Sequence, residues 1–300
     1  MTRIAVLDDW QGVALEAADW SALQARAEVV VFEEAFADAD QAAERLAGFD
    51  VILAMRERTA FPEDLVARLP LLRMFGLSGK RAHTIASDAM KARGVTVTWT
   101  GGIDTGPATA ELALALMLAA ARSLPAGDAA VRAGRFMADV PPGMALHGRT
   151  LGLVGVGRIG GLVAGYGRAL GMEVLGWSPN LTAERAAAAG VASVPKAELF
   201  ARADVVSLHL VLSSATRGVV GTEDLGRMRP GAILVNTARA GLVDETALLE
   251  ALTAGRIVAA LDVYHQEPLP ADHPLTRLPN TVLTPHVGYG VRDVYATFYA

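Results

Sequence analysis

The sequence predicts an α/β protein of two domains, each built on a parallel sheet, the second doubly wound. Three observations predict it. Short apolar runs alternate with helical patterns along most of the chain, as strand–helix–strand units require. One such run, Leu151, Leu153 and Val154, ends in Gly155-Val-Gly157-Arg-Ile-Gly160, a G-x-G-x-x-G lying between a strand and a helix. The length, 300 residues, supplies enough chain for two sizeable cores.

In the first hundred residues the strands are read at Ile4–Leu7, Val29–Phe32, Val51–Ala54, Leu71–Phe75 and Val95–Thr98. Helices are read over Gln41–Ala47, ending at Gly48, over Glu63–Leu69 with Pro62 as first helical residue, and over Ile85–Arg93, capped by Gly94. Gly101–Pro107 is a break. Ala108–Ser123, with Ala, Leu and Met all round, predicts a helix buried on most sides and lying between the domains. Pro125–Pro142 reads as irregular or weakly helical. Beyond it, strands are read near Leu151, at Glu173–Trp177, around Val191, and at Val205–His209, Ala232–Asn236, Val258–Leu261 and Thr281–Leu283. The helices between them are Arg158–Leu170, Leu181–Ala189, Ala197–Ala201, Thr222–Met228 and Asp244–Ala254. The tail, Asp293–Ala300, starts as a helix and stops after about two turns, so a longer natural chain, or a partner element, is expected.

Composition removes several classes. A net charge of -5 and a pI near 5.7 argue against non-specific nucleic-acid binding. The absence of cysteine removes disulfides, thiolate nucleophiles and cysteine metal sites. The N-terminus leads into a strand and carries no signal-peptide pattern, and Leu112–Ala121 is far shorter than the ~20 residues of a membrane span, so a soluble cytoplasmic protein is the expectation. No H-E-x-x-H, G-x-S-x-G or G-x-x-x-x-G-K-[ST] occurs. Asp262, Glu267 and His286 have no diagnostic metal spacing, and no metal is expected.

In the glycine stretch, Gly155 permits a tight turn, Gly157 lets a pyrophosphate approach the backbone, and Gly160 lets helix and strand pack closely. The helix start at Arg158 and Ile159 then offers N–H groups and a partial positive charge to phosphates. A nicotinamide enzyme needs, beyond this, a proton donor and a clamp for an anionic substrate. Arg239 follows a buried strand and a polar turn, where a guanidinium can hold a carboxylate through two parallel N–H bonds. His286 follows the last strand and can give and take a proton near neutrality. Glu267 is a candidate partner that would orient it, with His265 a competitor two residues away. His209 ends a strand and is read as structural or near the cofactor; His83, His147 and His273 read as loop residues. Arg56 and the Ser78-Gly79 turn fall at strand C-termini of the first domain, where ligands bind in such sheets.

At this point the chain resembles the D-isomer-specific 2-hydroxyacid dehydrogenases. The matching stretches are Leu146–Gly160, Ser207–Leu210, Met228–Glu245, Ala260–Pro270 and Leu283–His286, in the family's order. The resemblance implies two Rossmann-like domains. Residues 1–100, completed by 287–300, would take the substrate, and 101–286, including helix 108–123, would bind the dinucleotide. It implies reversible hydride transfer between NAD or NADP and a small anionic 2-keto/2-hydroxy acid, in a homodimer. Arg239 would bind the carboxylate and keto oxygen, with His286 as acid/base and Glu267 its orienting partner. Asp262 would meet the nicotinamide carboxamide, and Gly155, Gly157, Arg158, Ile159, Gly160, Ser178, His209, Thr237 and Ala238 would line the cofactor. Backbone from Leu77 through Ser78 to Gly79 would help hold the carboxylate, beside Arg56.

Two departures from the family pattern bear on specificity. Ser178 stands where an aspartate would bond the ribose diol, and no arginine follows at once, Arg185 being the nearest. A missing carboxylate admits a 2′-phosphate, so the reading leans slightly to NADP. The loop Ser78–Ile85 lacks the family's asparagine and aspartate, which leaves substrate identity open. Alternative functions are a non-catalytic dinucleotide-sensing protein of the same fold and a dehydrogenase of another small anion such as formate or phosphite.

Overall fold

The computed structural model describes residues 1–79, 84–101 and 103–300. His83 and the rest of Lys80–His83, part of the atypical loop, fall outside the described residues. The chain forms two compact units, Met1–Asp104 with Gly290–Ala300, and Thr105–Tyr289.

The first unit carries a parallel sheet of β1 (Thr2–Val6), β2 (Ala27–Val31), β3 (Val51–Ala54), β4 (Met74–Leu77) and β5 (Thr96–Trp99), in the order β2-β1-β3-β4-β5. Helices α1 (Ala14–Ala17), α2 (Ser21–Gln24), α3 (Ala39–Leu46), α4 (Glu63–Ala67) and α5 (Ser87–Ala92) connect the strands. Helix α3 begins where the Asp38 side chain accepts the Gln41 N–H, and it buries Ala42, Ala43 and Leu46 at helical spacing. Phe61 and Phe75 meet edge to face in the core, ring centroids 4.8 Å apart.

Most boundaries of this unit shift by one to three residues from the sequence reading, and three of the shifts have a local cause. Pro62 is the N-cap of α4 rather than its first helical residue, with extended backbone at φ -68 and ψ 167. The strand read from Leu71 begins at Met74, because the chain first turns (Leu72 N–H to the Leu69 carbonyl) and leaves Leu71 exposed. Helix α5 starts at Ser87 because Ile85 is drawn into a bridge with Phe61.

The second unit opens with α6 (Gly106–Ala121), apolar all round, which packs on α8 (Arg158–Ala169) and across three strands of its own unit's sheet. The segment after it is more regular than its prolines suggest. Pro125 lies at the start of α7 (Leu124–Arg132), where its missing N–H costs no helical bond. The parallel sheet comprises β6 (Thr150–Val154), β7 (Glu173–Trp177), β8 (Ala192–Ser193), β9 (Val205–Leu208), β10 (Ile233–Asn236), β11 (Val258–Leu261) and β12 (Thr281–Leu283). Its order is β12-β11-β10-β9-β6-β7-β8, so the winding reverses beside β6. Helices α9 (Ala183–Ala188), α10 (Lys196–Arg202), α11 (Thr222–Arg227) and α12 (Glu245–Thr253) complete the unit. Gly152 in β6 makes room for α10, since a Cβ there would lie 2.6 Å from the Leu199 side chain.

The chain then returns to the first unit as α13 (Arg292–Tyr299), which buries Val294 and Phe298 and packs against α1. Among the described residues no single helix is long and apolar enough to cross a membrane.

Candidate active site

Because the strands of the second sheet run parallel, their C-terminal ends share one edge. β10, β11 and β12 are consecutive there. Arg239 leaves β10, Asp262 to Glu267 leave β11, and His286 leaves β12, so residues far apart in the chain emerge side by side.

His286 Nδ1 and Glu267 Oε2 are 2.6 Å apart, both side chains largely shielded from solvent. The other Glu267 oxygen accepts the backbone N–H of Tyr264 at 2.9 Å, which fixes the carboxylate's direction. Tyr264 itself straps the two strand exits together, its hydroxyl donating toward the Leu261 and Thr284 carbonyls. His265 is not the partner of His286; its ring meets the Val243 carbonyl instead, at 3.3 Å.

His286 has a backbone φ of 54, a left-handed conformation that costs a non-glycine residue energy unless its neighbours hold it there. Asp262 holds them. One oxygen accepts the Thr284 hydroxyl at 2.6 Å and the Val287 N–H at 2.9 Å, and the other accepts the Gly288 N–H at 2.9 Å. This carboxylate is fully buried, and burial raises its pKa against the pull of those bonds and of His286. The resemblance implies a role for Asp262 at the nicotinamide carboxamide. The structure turns both of its oxygens to the histidine loop, a buttress that no spacing in the sequence reveals.

At the exit of β10 the Asn236 side chain shapes the turn, accepting the Ala238 N–H and donating to the Arg239 carbonyl, each at 3.0 Å. Arg239 is half-buried, with one guanidinium N–H on the Ala238 carbonyl at 2.7 Å. The Thr237 hydroxyl is buried and finds no hydrogen-bond partner among the described residues.

The glycine turn has the geometry its pattern implies. Gly155 sits at φ +104, and a Cβ there would lie 2.7 Å from the His209 backbone. A Cβ on Gly160 would lie 2.1 Å from the Gly155 carbonyl oxygen. Around Gly157 the space is open. The N–H groups of Arg158, Ile159 and Gly160 precede the first intrahelical bond, from the Gly161 N–H to the Gly157 carbonyl. An open backbone cradle at a helix start, with an orphaned hydroxyl further along the same edge, fits a dinucleotide. His209 meets the Ser207 hydroxyl at 2.9 Å, and burial pushes its pKa down to about 4, so the ring is neutral. Ser178 is half-buried just past β7, and Arg185 donates to the Asn180 carbonyl at 3.0 Å.

In the first unit, the Arg56 N–H bonds the Ser78 hydroxyl at 3.0 Å, and the Arg56 guanidinium lies beside Gly79. The backbone donors expected to hold a carboxylate here are engaged. The Ser78 N–H goes to the Ala54 carbonyl at 3.0 Å and the Gly79 N–H to the Thr100 hydroxyl at 2.7 Å, while Leu77 belongs to β4. The strand runs to Leu77, two residues beyond the Phe75 of the sequence reading, and the ladder takes the Ser78 donor with it. Among the described residues no cluster of His, Asp or Glu has the form of a metal site.

Residues 114–288 match the model of the D-isomer specific 2-hydroxyacid dehydrogenase NAD binding domain. The crystal structure of a phosphoglycerate oxidoreductase from Vibrio cholerae O395 is similar at a TM-score of 0.93 and 39% identity, covering 100% of this chain and 96% of that one. The chain belongs to the D-isomer-specific 2-hydroxyacid dehydrogenase family. Among this family's members it is 39% identical to the D-3-phosphoglycerate dehydrogenase of Archaeoglobus fulgidus over 80% of this chain and 46% of that protein. It is 44% identical to the glyoxylate reductase of Korarchaeum cryptofilum over 65% of this chain and 60% of that protein. The chain thus spans about half the length of the curated D-3-phosphoglycerate dehydrogenases it matches.

Proposed function

We propose that this family member reversibly reduces a small 2-keto acid to the D-2-hydroxy acid, with a nicotinamide dinucleotide as the redox partner. The observation that carries the reading is the 2.6 Å contact between His286 and Glu267 on the same sheet edge as Arg239 and the glycine turn. When bound, the dinucleotide supplies or accepts the hydride. The protein supplies the rest. Glu267 holds Nδ1 of His286, which leaves Nε2 to give a proton to the keto oxygen in reduction and to take it back in oxidation. Arg239 releases its neighbour's carbonyl to clamp the substrate carboxylate and polarise the keto oxygen.

In this reading the second unit binds the dinucleotide, the first unit contributes Arg56 on the substrate side, and the active form is a homodimer. Ser178 in place of an acidic residue favours acceptance of NADP alongside NAD. A cavity of about 130 Å³ at the ends of β3, β4 and β5 is lined, among the described residues, by uncharged side chains, Ser78, Thr98 and Thr100 among them.

The test is oxidation of NADH and NADPH against glyoxylate, hydroxypyruvate, pyruvate and bulkier 2-keto acids. His286→Ala is expected to lower kcat by roughly 10²–10⁴-fold with dinucleotide affinity nearly unchanged, and Arg239→Ala to raise KM and lower kcat together. No turnover of any 2-keto acid by the wild type, or full turnover by His286→Ala, would overturn the reading.

A further inference from the structure

We propose that Asp8 is a positioning residue for the substrate side: acting through Thr59, it holds the loop that presents Arg56. The inference rests on the reading of Arg56 given above. The first sheet's order, β2-β1-β3-β4-β5, puts its switch point between β1 and β3, and crevices at switch points are where open α/β sheets bind ligands. Asp8 follows β1, and the loop Met55–Thr59 follows β3. The contact between them bridges that crevice.

The bridge is specific. Asp8 is 6% exposed, and the Thr59 hydroxyl lies 3.1 and 2.9 Å from its two oxygens. Its backbone has φ 59, a left-handed conformation at a non-glycine position. The adjacent Asp9 does the ordinary work of a strand exit, accepting the Val13 and Ala14 N–H groups at 2.9 Å to start α1. Asp8 therefore caps no helix. On its other side the loop is pinned by the Arg56 N–H on the Ser78 hydroxyl, with Arg56 also left-handed at φ 51. Arg56 thus lies between two anchors, Asp8–Thr59 and Ser78.

A carboxylate at this depth is costly where a neutral side chain would not be. Asp9 is its neighbour along the chain and Arg58 attracts it; burial outweighs Arg58 and the Thr59 bonds and lifts its pKa to about 6. Protonation removes a charged acceptor from the Thr59 hydroxyl and weakens the anchor.

The experiment compares Asp8→Asn, Thr59→Val and Thr59→Ser in the full chain. Asp8→Asn and Thr59→Val are expected to raise KM for a turned-over 2-keto acid about tenfold, with kcat and the dinucleotide KM changed less than twofold. Thr59→Ser keeps the hydroxyl and should restore the wild-type KM. The wild type should show an acid limb in kcat/KM near pH 6 that Asp8→Asn lacks. Amide hydrogen exchange over residues 56–59 gives a readout independent of turnover, and both disruptive variants should exchange at least tenfold faster than wild type. Exchange equal to wild type in both overturns the inference, whether or not the 2-keto acid assay succeeds. Wild-type KM in both variants overturns it as well. If the wild type reduces no 2-keto acid, the functional reading fails separately.

Discussion

His286 keeps its left-handed backbone because the residues on both sides of it are tied to one buried carboxylate. The aim of the imidazole is therefore set twice, at Nδ1 by Glu267 and at the main chain by Asp262. Asp262→Asn puts an amide N–H₂ among groups that all donate, so at least one buried donor loses its acceptor. The expected cost is about 1–3 kcal/mol, read as a lower Tm, together with a fall in kcat larger than the change in dinucleotide Kd. A kcat matching wild type in a variant that melts several degrees lower would leave Asp262 a stabilising residue with no hold on the histidine. In the sequence Asp262 is a carboxylate at a strand exit, to which the resemblance gives a role at the cofactor; nothing there ties it to the histidine loop. Its bonds reach 22 to 26 residues along the chain, and only the pairing of β11 with β12 creates them. The Asp8–Thr59 contact spans 51 residues and is hidden for the same reason, although a double aspartate closing a strand is a visible signal. The Glu267–His286 pairing, 19 residues apart, is a candidate from the residue types at two strand exits and is favoured by the resemblance; spacing alone does not single it out.

At the scale of elements, the glycines of the turn after β6 separate into two kinds. Gly157 has φ -95 and open space where a Cβ would go, so Gly157→Ala should leave the stability unchanged within ~0.5 kcal/mol, read as an unshifted Tm. The added methyl would stand where a pyrophosphate approaches, so dinucleotide Kd should rise at least tenfold. Gly160→Ala drives a methyl into the Gly155 carbonyl and should cost about 1–3 kcal/mol in the absence of any dinucleotide. Equal Tm values for the two variants would contradict this division. The strands themselves are largely legible. β3, β7, β11 and β12 have the bounds their apolar runs give, because buried parallel strands are apolar on both faces and end abruptly at polar turns. β4 is displaced because Leu71 extends its apolar run without being buried; hydropathy does not say which apolar residue faces the core. α7 is under-read because Pro125 looks like a breaker, while at a helix start it costs nothing.

For the whole molecule, Asp8 and His209 set opposing pH dependences in the same window. The unfolded chain protonates His209 near pH 6.5, but the folded one only near pH 4; stability tied to its neutral ring is present above 6.5 and lost as pH falls toward 4. Asp8 works the other way. Its folded pKa, about 6, exceeds the ordinary 3.8, so the folded chain binds the proton more tightly and gains stability as pH falls below 6. The two slopes offset each other between about pH 6 and 4 in the wild type. In Asp8→Asn the Tm should drop more steeply over that interval, and in His209→Gln less steeply, than in wild type. Parallel Tm–pH curves for all three proteins would contradict both assignments.

The single edge shared by the strand exits of the second sheet also defines an opposite end. Turns that feed strands, such as Ala254–Arg256 ahead of β11, lie a full strand length from the groups of that unit assigned to chemistry. Gly255 there has nothing packed where a side chain would start. That end is the natural place to graft a fluorescent peptide or a surface tether, because an insertion there lengthens a connection without re-aiming any reactive group.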